Sequence, residues 1–214
     1  MCAPFWQGGS DMAGFSIIQG PAVALPQDNI DTDQLIPARF MSVPRKDGYG
    51  PYLLHDLRFD AGGTPRPEMP LNRHAQARIL VTRRNFGSGS SREAAVYALV
   101  DFGIKAVLAP SFGDIFASNA VNNGLLPARL PEDRIEAMIA RLGDKAEEMT
   151  VDLTAGVIRI GNEVIPFDLD PIWRLKLING WDDIDMTASH GPAIAAFRAA
   201  RAKAAPYAML DGMT

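Results

Sequence analysis

Residues 77–109 read A-R-I-L-V-T-R-R-N-F-G-S-G-S-S-R-E-A-A-V-Y-A-L-V-D-F-G-I-K-A-V-L-A. Ala77–Thr82 is a short apolar, β-rich run, and Asn85–Ser91 is a loop of glycine and serine. Arg92–Phe102 takes up helical spacing, with Ala95, Leu99 and Phe102 on one face and Gly103 as a C-terminal stop. Ile104–Ala109 is again short and apolar. The alternation continues outward. Phe112–Asn123 reads as a helix ended by Asn122-Asn123-Gly124, Leu125–Leu130 as a strand, and Glu132–Leu142 as a helix with Pro131 at its start. Strand, helix, strand, helix, strand implies a parallel α/β layer with right-handed crossovers.

Towards the N-terminus, Phe15–Gln19 reads as a strand that Val23–Leu25 continues. Asp28–Asp33 is a dense run of Asp, Asn and Thr, residues that bond their own backbone and favour turns and helix caps. Residues 41–77 hold five prolines and four glycines and read as a long mobile loop, with Tyr52–Phe59 apolar enough to pack down as a short helix. Towards the C-terminus, Thr150–Leu153, Val157–Ile160 and Glu163–Phe167 read as strands of a hairpin series, followed by helices around Ile172–Ile178 and Pro192–Ala205. The last helix is read either as a terminal packing helix or as one that docks on a partner. The expected whole is a mixed α/β domain over residues 15–214, a central parallel layer with β-rich flanks. Residues 1–14 are expected to be a disordered lead-in, within which Met12 is an alternative start.

Composition narrows the function classes. The 214 residues are 47% hydrophobic and 21% charged, which suits a globular chain and excludes a disordered one. No apolar run reaches the about 18 residues that span a bilayer. Nothing near the N-terminus has the basic and apolar regions of a signal peptide. A net charge of −4 argues against nucleic acid, and the local basic cluster, Arg83-Arg84 with Arg92 nearby, is read as a small-anion site, with a solvated strand end as the commoner role of such an Arg83-Arg84 pair. The single cysteine, Cys2, allows no internal disulfide and fits a reducing, cytoplasmic setting. One thiol also cannot hold an iron–sulfur cluster, which takes about four thiolates.

The Asn85–Glu93 loop carries the strongest chemical signal. Small residues let backbone approach a ligand, a helix start attracts anions, and Arg92 offers a planar fork for a carboxylate. A P-loop is absent, a dinucleotide fingerprint fails at Arg92, and no nucleophile elbow is present. Ser90 to Glu93 also matches a capping box, with Ser90 as N-cap and Glu93 three positions on. That role is compatible with a hydroxyl that faces a bound anion. His55, His74 and His190 share no metal-ligand spacing, although His55 beside Asp56 is an alternative acid–base pair to simple loop packing. Asp31 and Asp33 sit like calcium ligands, but Leu35 and Ser42 fall where further oxygen donors are needed. Tyr49, Tyr52 and Phe59 either line a side-chain pocket or anchor their loop.

Several stretches together carry a resemblance. They are Asn29–Phe40, Gly48-Tyr49-Gly50, His55–Asp60, Phe86–Ala95, Gly103–Pro110, Gly113–Phe116, Asn119 and Asn122–Pro127. Over residues 15–200 the chain resembles the 3-isopropylmalate dehydratase small subunits, the separate swivel domain of the aconitase superfamily. The resemblance implies an aconitase-like swivel fold and reversible dehydration of a small-molecule 2-hydroxy diacid. It makes Ser90 the base that takes a proton from carbon, with Asp33 beside it in the proton-transfer network. Ser91, Arg92 and Thr32 would bind substrate. So would a further basic residue, best matched by Arg45, with Lys46 and Arg39 as alternatives. A serine is a poor base unless its alkoxide is stabilised, which the helix start and Arg92 would do. The resemblance also implies a large-subunit partner that supplies a [4Fe–4S] cluster, with no metal ligands in this chain and no nucleic-acid or membrane partner. The substrate it implies is 2-isopropylmalate, converted through isopropylmaleate to 3-isopropylmalate in leucine synthesis. Citramalate and homoaconitate hydro-lyases, and a non-catalytic anion-binding module, are the alternatives.

Overall fold

The computed structural model describes residues 13–89 and 92–205. Seven strands form one sheet: β1 (Ile17–Leu25), β2 (Ile79–Thr82), β3 (Ala106–Ala109), β4 (Leu126–Arg129), β5 (Glu147–Asp152), β6 (Val157–Ile160) and β7 (Glu163–Pro166), in the order β4-β3-β2-β1-β5-β6-β7. The first four are parallel, with Ala22 opposite Ile79 and Ile79 opposite Ala106. The last three are antiparallel, and β1 joins the two halves by pairing Ile17 with Asp152. The expected parallel layer and hairpin series are both present, and the N-terminal strand is continuous across Gly20 and Pro21.

β2 and β3 are buried at every position, as the unbroken apolar runs require of parallel strands covered on both faces. Their alternate residues feed two cores. Leu80, Val107 and Ala109 pack with α1 (Thr32–Leu35), α4 (Glu93–Phe102) and α5 (Asp114–Asn122). Ile79, Val81, Ala106 and Leu108 pack with α6 (Glu132–Leu142) and α7 (Pro171–Asn179). In α4 the buried face is Ala95, Val96, Ala98 and Leu99. Each fully buried Leu or Ile is worth about 1.5–3 kcal/mol relative to exposure.

Residues 41–77 fold as short helical turns: 3-10 turns at Arg45–Asp47 and Gly50–Tyr52 (after one at Ala38–Ser42), then α2 (His55–Arg58) and α3 (Pro70–Arg73). Leu53, Leu54 and Leu71 are fully buried, and the Leu54 amide donates to Leu35 O at 2.9 Å. Gly50 lies against the Asp101 backbone, where a Cβ would stand 2.7 Å from the carbonyl oxygen. The start of β5 and the helices near the C-terminus differ from the sequence reading. β5 begins at Glu147 rather than Thr150, because Glu147 and Glu148 extend the ladder opposite Ala22 and Pro21. A further helix, α8 (Asp183–Ser189), precedes α9 (Gly191–Ala204), and Asp182 caps it in a box with Asp185. α9 carries no buried side chain, so it does not act as a packing helix on its own chain. No helix among the described residues is long and apolar enough to cross a membrane.

Candidate active site

The chain leaves the C-terminal ends of β1, β2 and β3 on one edge of the sheet, where open α/β sheets bind ligands. Three loops meet there and are stitched together by backbone. The Asn29 amide donates to Arg84 O (3.0 Å), Gly87 to Ile30 O (2.7 Å) and Thr32 to Ser88 O (3.0 Å). On the other side Phe86 donates to Ser111 O (3.1 Å) and Gly113 to Phe86 O (2.9 Å). The packing is close enough to exclude side chains. At Gly87 (φ +71°) a Cβ would fall in the Phe116 ring, and at Gly113 it would meet Gly87 O.

These loops enclose a pocket of about 210 Å³, walled by Thr32, Gly87, Gly89 and Arg92 on one side and Gly113–Phe116 on the other. Arg92 is the N-cap of α4 and Gly113 the N-cap of α5, so two helix N-termini converge on it. Both favour an anion. Arg92 supplies the full positive charge and is ion-paired with Asp33. Asp33 is held in the first turn of α1 by a capping box: the Gln34 amide donates to Asp31 Oδ1 (2.7 Å) and the Asp31 amide to Gln34 Oε1 (3.0 Å). Thr32, in the same turn, is buried at 2% exposure.

The structure thus brings Thr32, Asp33 and Arg92 together. Ser90 and Ser91 lie outside the described residues. They are the two chain positions between Gly89 and Arg92, both of which line the pocket. The capping-box reading of Ser90 with Glu93 is corrected. The helix starts later, so Arg92 is the N-cap and Glu93 the first helical residue, not the third. The Glu93 carboxylate accepts from Asn123 Nδ2 at 2.9 Å instead.

Arg45 is not brought to this pocket. Its guanidinium donates to both oxygens of Asp101 (2.7 and 3.0 Å) and lies 4.3 Å over the Tyr97 ring. Asp101 is at the far end of α4, about 13 Å along the axis from Arg92. Arg39 pairs with Asp56 and holds that carboxyl below the usual carboxylate range. Lys46 is exposed. Tyr49 is buried, its hydroxyl donating to Val43 O (3.1 Å), and Tyr52 stacks on Phe40 at 4.4 Å, so both anchor their loop. His55 lies between the rings of Phe40 and Phe59 (4.6 and 4.8 Å), which fits loop packing. Among the described residues no group of three His, Cys, Asp or Glu is placed to hold a metal ion. The wall Asp114, Ile115 and Phe116 was not singled out as site residues from sequence. Its signal was a strand end followed directly by a helix start, as at Arg92.

Comparison with known proteins adds the following. The aconitase C-terminal domain family matches residues 12–133. The 3-isopropylmalate dehydratase small subunit of Shouchella clausii is 43% identical over 188 residues, 87% of this chain and 95% of that protein. The small subunit of the same name from Gluconacetobacter diazotrophicus is 44% identical over 201 residues, 92% of this chain and 97% of the relative. That of Rhodospirillum centenum is 43% identical over 202 residues, 92% of this chain and all of the relative (100%). A crystal structure of 3-isopropylmalate dehydratase from Methanocaldococcus jannaschii superposes with a TM-score of 0.60 at 26% identity, covering 84% of this chain and 98% of that one.

Proposed function

The chain belongs to the aconitase C-terminal domain family, among the 3-isopropylmalate dehydratase small subunits, and on that premise we propose how its pocket serves a hydro-lyase. The reaction is the removal of water from 2-isopropylmalate to give isopropylmaleate, and the return of water in the opposite sense to give 3-isopropylmalate. The chain contributes the half of the site that holds carboxylates and moves the carbon-bound proton.

Arg92 takes one substrate carboxylate through two parallel N–H···O bonds, the geometry a planar fork favours. The N-termini of α4 and α5 add positive potential where negative charge builds up. Ser90 takes the proton from the carbon next to the hydroxyl-bearing one. Its alkoxide form is stabilised by the same two helix starts and by Arg92. Ser91 and the Thr32 hydroxyl bind the diacid, while Asp33 orients Arg92 and belongs to the relay that carries the proton away. Arg45 stays outside this reading, because Asp101 takes both of its terminal nitrogens.

The chain's own donors do not fit an iron–sulfur cluster. It has one cysteine, and no metal-ligating group of three occurs among the described residues. The cluster, and the departure of the hydroxyl group, therefore fall to the large subunit that the relatives' names imply. A single cysteine also supports a cytoplasmic setting.

The observation that carries this reading is the convergence of two helix N-termini and Arg92, itself paired with Asp33, on one pocket. The test is turnover by this chain mixed anaerobically with its large subunit, with 2-isopropylmalate, citramalate and homocitrate supplied in parallel. Preference for 2-isopropylmalate supports the reading. Preference for another diacid moves the protein to a sister reaction, and no turnover on any, with association proven, leaves an anion-binding module.

A further inference from the structure

We infer that Glu93 is a positioning residue for Arg92, acting through Asn123. The inference rests on the reading of Arg92 as the ligand of a substrate carboxylate. Arg92 is an N-cap without a side-chain cap hydrogen bond, so the start of α4 is not fixed in the usual way. What fixes it is the next residue. Glu93 Oε1 accepts from Asn123 Nδ2 (2.9 Å), and the same Nδ2 donates to Asn119 O (2.8 Å), which orients the amide.

Asn123 is itself held from behind. It follows Asn122, whose Oδ1 accepts from Lys176 Nζ and whose Nδ2 donates to Asp183 Oδ2 (3.0 Å). Lys176 Nζ donates in turn to Asp183 Oδ1 (2.6 Å), and Lys176 is only 3% exposed. A buried lysine thus ties the C-terminal end of α5 to α7 and α8. α5 meets the start of α4 at both of its ends: its first residues share the pocket wall with Arg92, and its C-cap holds Glu93. The helix works as a strut between the two.

A rival account is that an acidic first-turn residue only complements the helix dipole. That role needs charge, whereas the strut needs an acceptor. Substitution separates them. In the enzyme assembled from both subunits, Glu93→Ala and Asn123→Ala each raise KM for the diacid about tenfold with a smaller change in kcat, while Glu93→Gln stays within about twofold of wild type. The double alanine variant loses less than the sum of the two single ones, because the Glu93–Asn123 bond is shared between them. Independently of turnover, hydrogen exchange on the full chain shows faster exchange of the Arg92–Val96 amides in both alanine variants and unchanged exchange in β2 and β3. Glu93→Gln behaving like Glu93→Ala overturns the inference, as does Asn123→Ala with wild-type KM and wild-type exchange. If the wild-type enzyme turns over no diacid, it is the proposed function that fails, and the exchange result alone decides the role of Glu93.

Discussion

Arg92 sits where three demands meet. It ends the glycine loop, caps α4 without a side-chain bond to it, lines the pocket and pairs with Asp33. Its side chain is 24% exposed and that of Asp33 55%, so an incoming carboxylate can replace Asp33 at modest cost. The fork geometry sets the first prediction. Arg92→Lys keeps the charge but loses the paired N–H donors, so KM for the diacid rises at least tenfold in steady-state kinetics, with assembly unchanged. An unchanged KM would show that Arg92 does not touch substrate. Ser90 lies two positions earlier in the chain, and its replacement by alanine is expected to act on turnover rather than on binding. Losing a general base costs on the order of 10²–10⁴ in kcat.

Among the elements, the junction of α5, α7 and α8 has the clearest pH signature. The Lys176 ammonium, helped by the Asn122 amide, holds the Asp183 carboxyl below the usual carboxylate range. A folded-state pKa below the unfolded value means that the pair stabilises fully above about pH 4, and that this is lost as pH falls through the folded value. Asp183→Asn is therefore expected to lower Tm at pH 7, and the gap between wild type and variant to narrow progressively as pH falls below about 4. A gap that stays constant across that descent, read by thermal unfolding, would mean that the charge of Asp183 contributes nothing.

The same elements show what sequence could reveal. β2, α4 and β3 were legible because apolar runs buried on both faces alternate with glycine punctuation. α8 was not. It has no buried residue, and its box uses Asp182 and Asp185 where the familiar pattern ends in Glu or Gln. The start of β5 was hidden by Glu147 and Glu148. The Glu147 carboxylate is paired with Arg141, which sits on α6. The start of α4 was misplaced because Ser90 to Glu93 satisfies a local rule, while the observed start follows from contacts with remote residues, Asn123 and Asp33. Arg45 was placed near substrate by resemblance, and its bidentate bond to Asp101, 56 positions away, lies beyond any local pattern. The Asp31 cap was legible from its Asx run, and it is what sets Thr32 on the pocket and Asp33 against Arg92.

For the molecule as a whole, the parallel half of the sheet carries the pocket at its edge, and the antiparallel half extends the sheet from the other side of β1. The pocket offers the Arg92 cation and two helix starts, and in the proposed reading the cluster chemistry falls to the large subunit. The purified chain is accordingly expected to show no iron–sulfur absorbance after anaerobic reconstitution with iron and sulfide, and the brown chromophore to appear only with the large subunit. Strong absorbance from the chain alone would contradict that division.

In the proposed function, this chain supplies the proton-abstracting serine of a two-subunit isopropylmalate hydro-lyase. The most direct measurement follows formation of the unsaturated intermediate from 2-isopropylmalate by ultraviolet absorbance, with the large subunit paired once with wild type and once with Ser90→Ala. Turnover is expected with wild type, and a loss of about 10²-fold or more with Ser90→Ala at equal subunit association. Equal rates from the two complexes would contradict it.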